Sequence, residues 1–296
     1  MKRLLFIIAC ATAIFTSHPA FAGSGLADTD SLMHFRFDGT DREYRLAIPD
    51  SLDESRPLVI MMHGYGGKAD PDRFGMKQAA LKHGFAICFP QGERDTTGKT
   101  GWNIGYPAQK GMKTDDVEFI SSLAEHIVSE YNLNPDNVFC SGYSNGGDLC
   151  YLIADRKPDE FAALASISGL TMKWVLNSYE STKQIPFIEF HGTADKTSRW
   201  GGDPDNTGGW GEYISVPLAV GYRAAVNRCT HEVTETRPAE ENGVQVIVHK
   251  YTGGPEGNDV WLYEVIGGTH SLYSSGLELG EEIMNFFNRY LTRPEN

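Results

Sequence analysis

The chain is expected to fold as an α/β domain on a mostly parallel central sheet, with helices on both faces and an antiparallel hairpin at its N-terminal side. Three observations predict this. Short, continuous apolar runs recur along the sequence and read as strands buried on both faces. Between them lie longer stretches with apolar residues at helical spacing. Long glycine-rich loops follow several of the runs, where open parallel sheets place their functional groups at the carboxyl ends of strands.

The first stretch stands apart from that fold. Lys2 and Arg3 precede a mostly apolar run from Leu4 to Phe15, and Ala20-Phe21-Ala22 offers a small-x-small cleavage site before Gly23. This pattern predicts a secretory signal peptide over 1–22, cut after Ala22, and a single domain over 23–296 in a secreted or periplasmic protein. No later segment has the roughly 18 consecutive apolar residues of a membrane span. A formal net charge of −13 sets the surface against nucleic acid and anionic membranes, so neither is an expected partner. Beyond Cys10, the cysteines are Cys88, Cys140, Cys150 and Cys229. Export permits disulfides among these four, while Cys88 and Cys140 equally suit small buried hydrophobes in apolar runs. No Cys-x-x-Cys spacing points to a metal.

In chain order, Met33–Phe37 and Tyr44–Ile48 alternate around Asp38-Gly39-Thr40 and predict the opening hairpin. Residues 57–62 form a buried strand that ends at His63-Gly64-Tyr65-Gly66-Gly67. A helix over 72–82 and a strand over 84–90 follow, then an irregular stretch from Gln91 to Lys113. Asp115-Asp116 open a long helix reaching about Tyr131, their charges suiting the positive end of its dipole. Further strands are expected at 161–168, 185–190, 244–251 and 260–266, with helices at 216–228 and 277–291. A loop rich in glycine and tryptophan fills 199–213, and a polar connection containing His231 follows the first of these helices.

The strand Asn137–Cys140 runs into Ser141-Gly142-Tyr143-Ser144-Asn145-Gly146-Gly147, a G-x-S-x-G pattern between a strand and a helix. Such a turn lifts a serine hydroxyl above the sheet, and the glycines allow backbone to pass closely beneath it. A serine is a poor nucleophile until a base takes its proton, and the base needs an acid to fix its tautomer. In the α/β-hydrolase arrangement the order along the chain is serine, acid, histidine, each after a strand. Ser144, Asp195 in His191-Gly192-Thr193-Ala194-Asp195, and His270 in Gly267-Gly268-Thr269-His270 meet that order. Asp203 and Asp205 are alternative acids, and His191 reads as a structural group beneath the acid loop. An oxyanion hole needs two backbone N–H donors. The N–H of Asn145 and that of Tyr65, with Gly66 next, are the expected pair.

Taken together, the segments 63–67, Gly101-Trp102-Asn103, Asp115-Asp116-Val117, 142–147, 191–195 and 267–270 resemble the secreted polyhydroxybutyrate depolymerase and feruloyl esterase-like family of α/β-hydrolases. The resemblance runs from about residue 42 to the end. It implies hydrolysis of carboxylic esters on polymers or plant-wall polysaccharides, with Ser144 as nucleophile, Asp195 as acid and His270 as base. The family often continues past its histidine with Thr-Trp-Pro-Gly, whereas His270 is followed by Ser271-Leu272-Tyr273-Ser274.

Trp102, Trp200 and Trp210, with Tyr65, are candidates for lining the substrate site, since flat rings stack on a sugar face or a cinnamoyl group. Trp102 and Trp200 equally suit packing that pins long loops. Asp203-Pro204-Asp205-Asn206-Thr207-Gly208 is not an EF-hand, because Ile214 stands where the bidentate glutamate belongs. The expected function is that of a secreted serine esterase on acetyl or feruloyl esters of polysaccharides, needing no cofactor or metal. The alternatives are a polyhydroxyalkanoate depolymerase and, further off, a peptidase or a non-catalytic polymer-binding protein.

Overall fold

The computed structural model describes residues 32–70, 73–179, 183–237 and 243–293. The predicted signal peptide lies outside them. Two extended runs, β1 (Met33–Phe37) and β2 (Thr40–Ala47), pair antiparallel with Phe37 opposite Thr40. Asp38 and Gly39 between them both take positive φ, 44° and 78°, the backbone twist that a two-residue hairpin turn requires. The strands β3 (Leu58–Met62) and β4 (Ala86–Pro90) enclose α1 (Met76–Lys82). The stretch after β4 carries a two-residue ladder, β5 (Glu93–Arg94) with β6 (Thr100–Gly101), where the sequence predicts only irregular chain. Helix α2 (Asp116–Glu130) leads to β7 (Val138–Tyr143), α3 (Asn145–Arg156) and β8 (Ala163–Ile167). A short α4 (Lys173–Ser178), not anticipated from the sequence, precedes β9 (Phe187–Gly192). Then come α5 (Val216–Val226), β10 (His231–Arg237), β11 (Val246–Thr252), β12 (Val260–Val265) and α6 (Leu279–Phe287).

Among the described residues, ten strands form one sheet in the order β1-β2-β4-β3-β7-β8-β9-β12-β11-β10. The six from β4 to β12 are parallel, and an antiparallel pair flanks them on either side. Parallel strands need crossovers, and the helices that supply them cover both faces. The alternation of side chains makes this visible within β3. Leu58, Ile60 and Met62 join a core with Val117 and Ile120 of α2 and Val220 of α5. Val59 and Met61 join the opposite core with Met76 of α1 and Ile283 of α6.

The segment with His231 corrects the sequence reading, since it is a strand rather than a polar connection. Its His-Glu-Val-Thr-Glu-Thr-Arg run has no apolar face because six of its seven residues are exposed at the sheet edge. Charged side chains at such an edge discourage pairing with another chain. Cys88, Cys140, Cys150 and Cys229 are all free thiols, the first three buried. No helix among the described residues is long and apolar enough to cross a membrane.

Candidate active site

Strand β7 stops and α3 starts with one residue between them. Ser144 is that residue, at φ 54° and ψ −120°, a conformation sparsely populated by residues with a Cβ. The flanking glycines are required by close approach. A Cβ at Gly142 would stand 2.2 Å from the backbone C and O of Gly146, and one at Gly146 would stand 2.6 Å from Met62 O. The Ser144 N–H donates to Ile167 O at 2.7 Å, fastening the turn to the end of β8.

Asp195 and His270 leave the ends of two neighbouring parallel strands, β9 and β12. Asp195 is buried, and its Oδ1 accepts from the N–H groups of Thr197 (2.7 Å) and Ser198 (2.9 Å). Its Oδ2 faces His270 Nδ1 at 2.7 Å, and His270 Nε2 faces Ser144 Oγ at 2.9 Å. With a carboxylate on Nδ1, that nitrogen is the donor and Nε2 is left to accept the serine proton. His270 is also moored through its carbonyl, which accepts from Ser168 Oγ at 2.9 Å. The alternative acid Asp203 is spent inside its own loop, accepting from Thr207 N and Oγ and from Gly208 N.

Behind the acid, His191 and Glu189 are fully buried together. His191 Nδ1 meets Glu189 Oε1 at 2.8 Å and Nε2 meets Ser198 O at 2.8 Å, so both nitrogens face acceptors. Burial works against charge on this imidazole, but the bond to Glu189 and its charge outweigh that and raise the histidine pKa. His191 thereby clamps the 195–198 turn from below.

The glycine-rich segment after β3 reaches the same spot. His63 is buried, its Nδ1 donating to Gly64 O at 2.7 Å while Nε2 accepts from Gly92 N at 3.0 Å. Burial pushes its pKa down to about 4, which keeps it neutral in that tautomer. The Gly66 N–H is taken by Thr100 O at 2.7 Å, whereas Gly64 and Tyr65 line the cavity over Ser144. Asn145 opens α3, where the first four N–H groups have no partner within the helix. Its side chain is fully engaged with the backbone of Trp102, accepting from N at 2.7 Å and donating to O at 3.0 Å.

The cavity holds about 190 Å³ and is lined by Tyr65, Tyr143, Leu170, Ser198 and Trp210 around Ser144 and His270. Tyr106 completes its wall. The rings of Tyr65, Tyr106 and Trp210 form one cluster, with centroids 5.2–6.0 Å apart. Of the tryptophans expected here, Trp210 is in place and two are corrected. Trp102 is fully buried, donates its Nε1 to His63 O at 2.7 Å and stacks on Phe119, so it braces the loop beneath the site. Trp200 lies outside the lining, edge-on to His191.

Tyr106 and its partner Asp148 escaped the sequence reading. Asp148 sits one turn into α3, fully enclosed, and accepts from Tyr106 OH at 2.5 Å and from Leu170 N at 2.7 Å. Burial pushes its pKa up to about 8. The signal available in the sequence was an acid four residues past the serine on an otherwise apolar helix face, together with a tyrosine in the long loop. Among the described residues no group of three or more His, Cys, Asp or Glu side chains is placed to hold a metal ion.

A six-stranded parallel core with a serine at a strand-to-helix turn and a histidine and acid at later strand ends defines an α/β-hydrolase. In keeping with that, the structure superposes on an acetyl xylan esterase from Aspergillus awamori with a TM-score of 0.60 at 15% identity, covering 87% of this chain and 99% of that one. Residues 43–182 match the family described as Esterase PHB depolymerase. The chain is 31% identical over 165 residues to the putative esterase NocK of Nocardia uniformis subsp. tsuyamanensis, covering 53% of this chain and 46% of the relative. It is 26% identical over 162 residues to the bifunctional acetylxylan esterase/xylanase XynS20E of Neocallimastix patriciarum, covering 54% of this chain and 22% of the relative. This chain thus spans less than half the length of these two curated relatives. Over residues 43–182 the chain is similar to the family described as Esterase PHB depolymerase, and its fold is that of an α/β-hydrolase.

Proposed function

We propose that the protein is an exported serine carboxylic-ester hydrolase acting on acetyl or feruloyl esters of polysaccharides. The observation that carries the chemistry is the unbroken hydrogen-bonded line Asp195–His270–Ser144, which opens into a cavity walled by aromatic rings. His270 Nε2 takes the proton as Ser144 Oγ attacks the ester carbonyl carbon. The tetrahedral oxyanion is held by the N–H groups of Asn145 and Tyr65. Gly66 is less suited, since its N–H already serves Thr100 O. As the C–O bond breaks, His270 returns the proton to the leaving alcohol. It next draws a proton from water, whose oxygen attacks the acyl-serine, and the carboxylic acid departs as Ser144 regains its hydrogen. Asp195 holds the His270 tautomer throughout, and no cofactor enters. The basic start, apolar run and Ala20-Phe21-Ala22 support export.

The family description itself favours one second reading, hydrolysis of polyhydroxyalkanoate. A panel of acetylated xylan, methyl ferulate and a hydroxybutyrate oligomer separates the two, and activity confined to the oligomer overturns the polysaccharide reading. For the chemistry itself, Ser144→Ala is expected to abolish hydrolysis of p-nitrophenyl acetate and labelling by a fluorophosphonate while the circular dichroism spectrum is kept. Equal activity in that variant sinks the mechanism.

A further inference from the structure

Next to the cavity over Ser144 lies a second, open depression of about 520 Å³. Tyr106 forms a wall of both. The chain passes from one to the other twice more, from Leu170 to Met172 and from Trp210 to Gly211. The two cavities are therefore neighbours, with Tyr106 and these two short segments forming the ridge between them.

The indole of Trp174, in the first turn of α4 and 37% exposed, lines the depression. A tryptophan this open is usually free to turn, but this one is fixed. Its Nε1 donates to Ile104 O at 3.0 Å. Its edge lies against Gly105, where a Cβ would come within 2.8 Å of Nε1 and where φ is 85°. The rim is polar, with Lys110, Asn177 and the half-exposed Lys173–Glu212 ion pair at 2.7 Å. A clamped aromatic face ringed by both donors and acceptors matches a pyranose, whose C–H face stacks on a ring and whose hydroxyls both give and receive hydrogen bonds. A polyester chain has only acceptors, so it would offer the Asn177 side-chain carbonyl no donor.

We infer that this depression is a sugar-binding subsite, taking one pyranose unit of the polysaccharide that carries the ester, with Trp174 as its stacking platform. The inference rests on the polysaccharide-ester reading above. Two measurements test it. The first is the ratio of kcat/KM for an acetylated xylo-oligosaccharide to that for p-nitrophenyl acetate. Trp174→Ala is expected to lower that ratio about tenfold, mostly through KM, and Trp174→Phe to lower it by less. An unaltered ratio in both variants, whether both activities fall together or neither falls, overturns the inference. The second is retardation by soluble xylan in a native gel, using the Ser144→Ala protein with and without Trp174→Ala. Loss of retardation with Trp174→Ala supports the subsite. Retention by hydroxybutyrate polymer and not by xylan overturns it. Because retardation needs no turnover, a wild-type protein inactive on p-nitrophenyl acetate but slowed by xylan through Trp174 refutes the esterase chemistry and leaves the subsite standing.

Discussion

Trp102→Phe separates bracing from substrate contact. Phenylalanine keeps an aromatic ring against Phe119 but removes the Nε1 donor that His63 O now receives at 2.7 Å. That carbonyl is buried, and leaving a buried acceptor unpaired costs about 1–3 kcal/mol. The smaller ring leaves unfilled space worth about 1 kcal/mol more. The sum, roughly 2–4 kcal/mol, corresponds in a domain of this size to a fall in melting temperature of roughly 5–10 °C. The same bond steadies the segment that presents the Tyr65 N–H, so kcat on p-nitrophenyl acetate should fall roughly 10- to 100-fold while KM moves little. Thermal melting by circular dichroism and steady-state kinetics on one preparation read both effects. An unchanged melting temperature with KM raised at constant kcat would refute the bracing role and return Trp102 to the substrate site.

Two further perturbations probe the turn and the buried acid beside it. Gly142→Ala pushes a Cβ to 2.2 Å from the backbone of Gly146, so the start of α3 must shift. The variant should lose about 1–3 kcal/mol of stability in urea unfolding and more than about 100-fold in kcat, and wild-type kinetics would contradict the geometry. Asp148 keeps its proton in the fold up to about pH 8, while an ordinary carboxyl loses it near 3.8. The wild type therefore loses stability as pH rises between those values and levels off above them. Asp148→Asn cannot titrate, yet its amide can donate to Tyr106 Oη and accept from Leu170 N. Its melting temperature should gain on the wild type from pH 5 to about pH 8 and hold that gain above, and parallel curves from pH 5 to pH 8 would show that Asp148 does not titrate there.

The parts of the site legible in the sequence are those fixed by local geometry. A strand-to-helix turn this tight demands glycines at 142 and 146, and Asp195 and His270, which meet beside Ser144, stand just past strands whose apolar runs are unmistakable. What stayed hidden depends on contacts across the fold. Tyr106 and Asp148 are 42 residues apart and meet only once the 91–113 loop closes over α3. Trp102 has the composition of a binding residue, and its burial follows from the bond to His63 and the stack on Phe119, which no spacing reports. Strand β10 was missed for the opposite reason, because an edge strand solvated on both faces carries no apolar period to read.

The three groups in line at the site stand on foundations of unequal reach. The acid and the imidazole rise from adjacent strands, β9 and β12, while the serine rises from β7, with β8 lying between β7 and β9. When the sheet flexes on warming, relative displacement grows with the number of strands crossed. The His270–Ser144 contact, across which the proton would move in the proposed mechanism, is therefore expected to open before the one between Asp195 and His270. In the proposed mechanism, hydrolysis is then expected to fade on heating while the carboxylate and imidazole are still joined, with a working temperature limit below the melting point.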